Sequence, residues 1–326
     1  MAGVAIRPRR ARLIGCLAAI VAAVCLLPVT GWAQQAVRVV IPFTAGGSLD
    51  ALGRLLAQHM AEGLRQPVVV ENRPGASGLI AVRSVLQAPP DGRSLLMGSS
   101  FLASGVALNE LDFDPRQALQ PVIKLTLSEN FLAVPNGLGA STLAELKRLS
   151  QQRPGGLNCA GVAGQMMLSC ERLRLLLDGN LVTIPYPGVQ PALTALVSGQ
   201  VDVMFAPRAA LVPLLAGQRL RVLASATAAA AAPPYEHLPL LKDTWPGMVM
   251  TTSHGLYVAA GTPAHLVAGL NRELNRVLAL PTVRSTMQEA GYVVVGGPPE
   301  VLAQTLAHDI EFYQRIVSDI GLKPAR

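Results

Sequence analysis

The sequence predicts an α/β fold. Short β-branched runs alternate with stretches of helical apolar periodicity, and glycine- and proline-rich breakers separate them. Such alternation favours a mainly parallel sheet covered by helices on both faces.

Residues 37–41 form the first β-branched run, and residues 49–60 then place Leu52, Leu55, Leu56, His59 and Met60 on or beside one helical face. Residues 68–70, the turn at 75–78 and the apolar positions of 79–86 repeat the strand, turn and helix. Pro89-Pro90-Asp91-Gly92 stops that helix, and a strand follows at 95–97. A second series begins after residues 131–135, with a helix at 143–150, a strand at 157–159 and a helix across 166–177. Segments 182–184, 191–198, 201–205 and 220–224 continue the alternation. Residues 256–259 read as a strand, Thr262-Pro263 as the cap and first turn of a helix through Leu278, and Pro281 as the start of another helix. A strand at 292–295 precedes a last helix opened by Pro298-Pro299-Glu300.

The first 33 residues carry Arg7, Arg9, Arg10 and Arg12, no acidic residue, an apolar run from Leu13 to Val29 and the small-residue exit Gly31-Trp32-Ala33. This is the form of a secretory signal peptide cleaved before Gln34. The alternative, a retained anchor, is disfavoured by Pro28 and by the lack of a basic stop-transfer patch. Cys16 stands at the start of the apolar run, where lipoprotein processing would leave that run uncut. Loss of the four arginines lowers the formal charge from +7 to about +3. The remaining basic residues are scattered, which argues against nucleic acid as a partner. Two cysteines remain, Cys159 and Cys170, too few for a structural zinc site and compatible with either one disulfide or two separately buried thiols. No metal cluster or cofactor motif is recognisable.

Function is expected where strands hand over to helices, because open α/β sheets bind ligands beyond the carboxyl ends of their strands. In the segment Pro42-Phe43-Thr44-Ala45-Gly46-Gly47-Ser48-Leu49-Asp50 the glycine pair lets backbone approach a ligand, and Ser48 or Asp50 suits the cap of the next helix. Amides at a helix start receive a carboxylate without arginine; a plain turn and cap is the other reading. Gly75-Ala76-Ser77-Gly78 and Gly161-Val162-Ala163-Gly164-Gln165 are comparable small-residue loops, and neither has dinucleotide- or phosphate-loop spacing. None of the five histidines belongs to a compact metal motif, and His254 reads as a cleft contact or as loop packing.

Taken together, Pro42 to Asp50, Val68 to Ala76, Pro90-Asp91-Gly92, Leu111 to Pro115, Ile184-Pro185-Tyr186, Gly199 to Phe205 and Ala260 to Pro263 make the chain resemble the periplasmic receptors of tripartite tricarboxylate transporters, the Bug family. The resemblance covers residues 36–326. It implies a two-lobed, type II-like periplasmic binding protein with ligand in the interlobe cleft, residues 36–133 plus 257–326 forming one lobe and 134–256 the other. It further implies a monomer without enzymatic activity or cofactor, partnered by a small carboxylate and by large and small membrane subunits. By motif position the ligand would meet Phe43, Ala45, Gly46, Gly47, Ser48, Asp50, Gly75, Ala76, Ser77 and Gly78 on the first lobe. On the second it would meet Gly161, Ala163, Gly164, Gln165, Pro187, Phe205 and Ala206.

The chain departs from the family pattern at Ala45, Pro187, residues 228–232 and Thr251-Thr252-Ser253-His254, so ligand identity does not carry over. A binding-only sensory subunit and an α/β hydrolase or transferase are the alternative readings. The latter lacks a recognisable nucleophile elbow or catalytic cluster.

Overall fold

In the computed structural model, residues 35–108, 111–162, 164–319 and 321 are described. The proposed signal peptide and Ala163 lie outside them.

Parallel pairing begins at once: β1 (Val37–Ile41) lies beside β2 (Val68–Asn72) and β3 (Ser94–Ser99), with α1 (Ser48–Leu64) and α2 (Leu79–Leu86) as the crossovers. After α3 (Phe101–Leu108) and the short α4 (Pro115–Ala118) comes β4, a long strand spanning Leu119–Pro135. Helix α5 (Leu143–Gln152) leads into β5 (Leu157–Val162), α6 (Gln165–Leu176) and β6 (Leu181–Tyr186). Next come α7 (Val189–Val197), β7 (Val203–Pro207), α8 (Arg208–Ala216) and β8 (Leu220–Ser225). The chain returns through α9 (Leu241–Thr244) and β9 (Thr251–Ala259), and ends with α10 (Ala264–Ala279), α11 (Pro281–Glu289), β10 (Tyr292–Val294) and α12 (Pro299–Asp319).

The strands run β2-β1-β3-β9-β4-β7-β5-β6, with β8 and β10 also paired to β4. The sheet is mixed: β1 with its two neighbours and β5 with its two are parallel, whereas every pairing of β4 and β9 is antiparallel. The expected mainly parallel sheet therefore holds for the flanks only. Strand β4 changes partners along its length. Leu119 to Glu129 pair with β9, and Asn130 onward pairs with β7 and β8.

Strand alternation distributes the core. Val37, Val39 and Ile41 of β1, Leu95 and Met97 of β3, and Leu256 and Val258 of β9 enter one cluster with α1 and α10. Val40, Leu96 and Tyr257, their odd-numbered-step neighbours, enter another with α2, α3 and α12. On the far side of the partner change the same division recurs. Leu132, Val134, Val203 and Phe205 face one cluster, while Phe131, Ala133, Met204 and Ala206 face the other. Burial on both faces explains why these strands read as continuous apolar runs rather than alternating ones.

Cys159 of β5 and Cys170 of α6, both fully buried, are joined as a disulfide with Cα atoms 5.9 Å apart. No helix among the described residues is long and apolar enough to cross a membrane.

Candidate functional site

A cleft of about 380 Å³ opens at the strand ends on both sides of the β4 and β9 crossings. Its first side is built by the loop after β1 (Phe43, Thr44, Gly47, Ser48, Asp50), the loop after β2 (Pro74 to Gly78) and the end of β3 (Ser99, Ser100, Phe101). The second side brings Val162, Gln165 and Met166 from the β5–α6 connection, Tyr186 to Pro191 from the β6–α7 connection, and Pro207 from the end of β7. Thr252 and His254 of β9 complete the lining.

Among the helices that begin at this cleft, α1 after Gly47, α6 after Gly164 and α7 after Gly188 have no side-chain cap at their starts. The first amides of a helix lack intrahelical acceptors and carry the positive end of its dipole, so such starts receive anions. The described lining residues include no lysine or arginine, and Asp50 is their one acidic side chain. Anion recognition here would rest on amides, on the hydroxyls of Ser48, Ser77 and Ser99, and on exclusion of water.

Asp50 braces rather than caps. Its Oδ2 accepts from the Gly46 amide at 3.0 Å and from Arg54 Nε at 2.9 Å, and its Oδ1 accepts from Asn72 Nδ2 at 3.0 Å. Asn72 Nδ2 also donates to the Phe43 carbonyl at 3.1 Å, tying the loop after β1 to the end of β2. Burial pushes the Asp50 carboxyl up, but the hydrogen bonds from Arg54, Gly46 and Asn72 outweigh it and hold its pKa below the ordinary value. Ser48 shares a hydrogen bond with Tyr292. In the second loop, Ala76 (φ 45°) and Ser77 (φ 52°) are both left-handed between Gly75 (φ 120°) and Gly78 (φ 94°). Two non-glycine residues in that region are uncommon, and backbone strain of this kind concentrates at ligand sites.

His254 lies at the floor. Its Nδ1 is 2.9 Å from Thr126 Oγ1, and its ring meets Tyr292 edge to face. Burial pushes its pKa down to about 4, which leaves the ring neutral at ordinary pH.

Several expected contacts lie elsewhere. Phe205 and Ala206 are 1% and 0% exposed in the cores on either face of β7; the strand runs on to Pro207, which reaches the cleft instead. Ala45 and Gly46 are exposed and do not line the cleft, the Gly46 amide being committed to Asp50. Gly161 is packing space for Met167 and Thr183, and Gly164 seats the start of α6 against Ser104. Conversely, Ser99, Ser100 and Thr252 were not singled out from the sequence. A hydroxyl at a strand end carries no sequence signature until the strand end is located.

A profile of the tripartite tricarboxylate transporter family receptors matches residues 52–322, and the chain belongs to this family. It is 30% identical over 299 residues to a protein encoded in the tcbD-tcbE intergenic region of Pseudomonas sp. strain P51, covering 87% of this chain and 85% of that one. Among solved structures, MatC from Rhodopseudomonas palustris with bound malate is 31% identical at a TM-score of 0.80, covering 86% of this chain and 98% of that one. Rpa4515 of R. palustris with adipate is 29% identical at a TM-score of 0.83, covering 90% and 100%. The fold is thus that of the two-lobed receptors of this family, which are periplasmic binding proteins and not enzymes.

Proposed function

We propose that the mature chain captures a small carboxylate in this cleft and delivers it to the large and small membrane subunits of a secondary transporter. The observation that carries the reading is the convergence of uncapped helix starts, those of α1, α6 and α7, on a hydroxyl-lined cleft whose described lining residues include no lysine or arginine. The relatives solved with malate and adipate support a carboxylate as the ligand class. The two lobes are residues 36–133 plus 257–326 and residues 134–256, close to the point where β4 exchanges β9 for β7 and β8. Closure of the lobes excludes water and lets modest contacts from Phe43, Gly47, Ser48, Gly75, Ala76, Ser77, Gly78 and Pro187 accumulate.

Export follows from the signal-like residues 1–33. Intact mass of protein recovered from the periplasm should correspond to a chain beginning at Gln34; retention of residues 1–33 in a membrane fraction would refute export by cleavage. For the ligand, native protein is denatured and its small molecules are identified by mass spectrometry, and malate and adipate are titrated by calorimetry. Recovery of an unchanged carboxylate that rebinds with one-to-one stoichiometry is expected. Conversion of the recovered compound on repeated incubation would overturn the receptor reading.

A further inference from the structure

We infer that Gln165 is a positioning residue, a latch across the cleft whose amide is committed to protein rather than to ligand. Gln165 is the first residue of α6 and is 7% exposed. Its Oε1 accepts from Ser100 Oγ at 3.1 Å and from Thr252 Oγ1 at 3.0 Å, and its Nε2 donates to the Thr251 carbonyl at 3.3 Å. These partners are distant in sequence. Ser100 joins β3 to α3 in the first half of the sheet, and Thr251 and Thr252 open β9, where the chain returns from the second half.

The rest of α6 is arranged to make that contact. Gly164 has φ 94°, and a Cβ there would lie 2.9 Å from Ser104 Oγ, so the missing side chain allows the helix start to reach α3. Leu168 is buried among Phe101 and Leu102 of α3, whereas Cys170, Leu173 and Leu177 enter the core on the other side of the partner change. Positions 168 and 170 are about 200° apart around a helix, so α6 faces both halves at once. The disulfide fixes its second face to β5, and Gln165 holds its tip to the first half. The tie continues outward on both sides: Tyr313 of α12 shares a hydrogen bond with Ser100, and Asn130, where β4 changes partners, donates to Thr252 Oγ1 at 3.0 Å.

An amide suits this position because it accepts from two hydroxyls while donating to a carbonyl. A carboxylate accepts but does not donate, and a hydrocarbon does neither. With both hydroxyl protons directed at Gln165, Ser100 and Thr252 present lone pairs rather than donors to their surroundings. The latch is independent of which anion occupies the cleft, so its test needs none.

Nitroxide labels on Ala144→Cys of α5 and Ala303→Cys of α12, with the native disulfide kept, report the distance between the two halves by pulsed electron resonance. In ligand-free protein, Gln165→Met, which keeps volume and loses all three bonds, should give a longer and broader distance distribution while the protein still unfolds cooperatively. Ser100→Ala should shift the distribution in the same direction by less, and should add nothing in the Gln165→Met background. Distributions superimposable on that of the parent, or additive effects of the two substitutions, would overturn the latch. Thr252→Val, which removes a different partner hydroxyl, carries the same test if Gln165→Met does not fold. A failure of carboxylate binding with these distance changes intact would fall on the proposed function alone.

Discussion

Arg208 and Glu129 form an ion pair of 2.8 Å with side chains only 9% and 7% exposed. Glu129 is the last residue of β4 paired to β9, and Arg208 opens α8. The pair anchors the segment at 231–235: Glu129 Oε1 accepts the Ala232 amide at 2.7 Å, Arg208 donates to the carbonyls of Ala232 and Pro233, and its guanidinium stands 4.9 Å from the Tyr235 ring centre. Within residues 228–232, where the chain departs from the family pattern, Ala232 therefore contributes through its backbone amide and carbonyl.

Removing one member of a buried pair leaves the other charge uncompensated, which costs about 3–5 kcal/mol. Glu129→Ala should lose about that much in urea unfolding, and Glu129→Gln, which keeps the shape and one acceptor, should lose less. A loss below about 1 kcal/mol for Glu129→Ala would mean that water reaches Arg208 and that the pair does not secure the segment.

The disulfide makes a second stability prediction. Closing a short loop restricts the unfolded chain and contributes about 2–4 kcal/mol. The double substitution Cys159→Ser, Cys170→Ser should lower the unfolding free energy by that order, and unfolded, unreduced mature protein should show no free thiol. Full thiol titration of the exported protein would count against the bond.

Much of this architecture was legible because local chemistry and tertiary context agree. The glycine pair at 46–47 and the Gly75 to Gly78 turn sit at strand ends, and the cleft lies against Gly47 and against the second turn. What was missed has physical causes that differ from one element to the next. The α3 sequence Phe-Leu-Ala-Ser-Gly-Val-Ala-Leu has no helical stripe because Phe101, Leu102, Ala103, Ser104 and Ala107 are buried around its circumference. The Thr251-Thr252-Ser253-His254 run reads as a loop, yet it begins β9, its polar side chains finding partners on β4: Thr126 meets His254, and Asn130 meets Thr252. Most of β4 escaped for the same reason, since Lys124, Glu129 and Asn130 interrupt its apolar pattern and are satisfied only by distant residues.

The buried His254 and the half-buried Asp309 give opposite pH dependences. His254 has its pKa depressed from 6.5 to about 4, so the unfolded chain takes up the proton first and stability falls as pH drops from about 6.5 toward 4, by up to about 3 kcal/mol. Asp309 has its pKa raised by burial from 3.8 to about 6, despite the opposing charges of His308 and Lys124; its contribution is greatest below pH 3.8 and is lost as pH rises through about 6. Thermal midpoints of the parent, His254→Asn and Asp309→Asn across pH 4–8 separate them. The parent should lose ground to His254→Asn as pH falls below 6.5, and should gain ground on Asp309→Asn as it falls below 6. Parallel profiles for parent and His254→Asn would show that the ring takes up its proton in the folded protein without penalty.

The glycines at the cleft are not equivalent, and the difference isolates one substitution as the test of the proposed site. Gly78 has φ 94°, and a Cβ there would lie 2.7 Å from the Phe101 ring, so Gly78→Val disturbs the protein whatever it does to ligand. Gly46 has φ 86° and directs its amide to Asp50, so substitution there strains the loop. Gly47 is different: its φ of −80° and ψ of 169° suit any residue, and a Cβ would meet nothing nearer than the Thr44 carbonyl at 3.8 Å. Gly47→Val should therefore leave the thermal midpoint unchanged while placing branched bulk at the start of α1, where the carboxylate is proposed to meet the amides. Binding of the carboxylate recovered from native protein should weaken at least tenfold, equivalent to about 1.4 kcal/mol. Calorimetry on the folded variant checks this, with Ala303→Val on the exposed face of α12 as a control expected to bind as the parent does. Unchanged affinity for Gly47→Val would move the anion away from α1 and leave the starts of α6 and α7 to account for it.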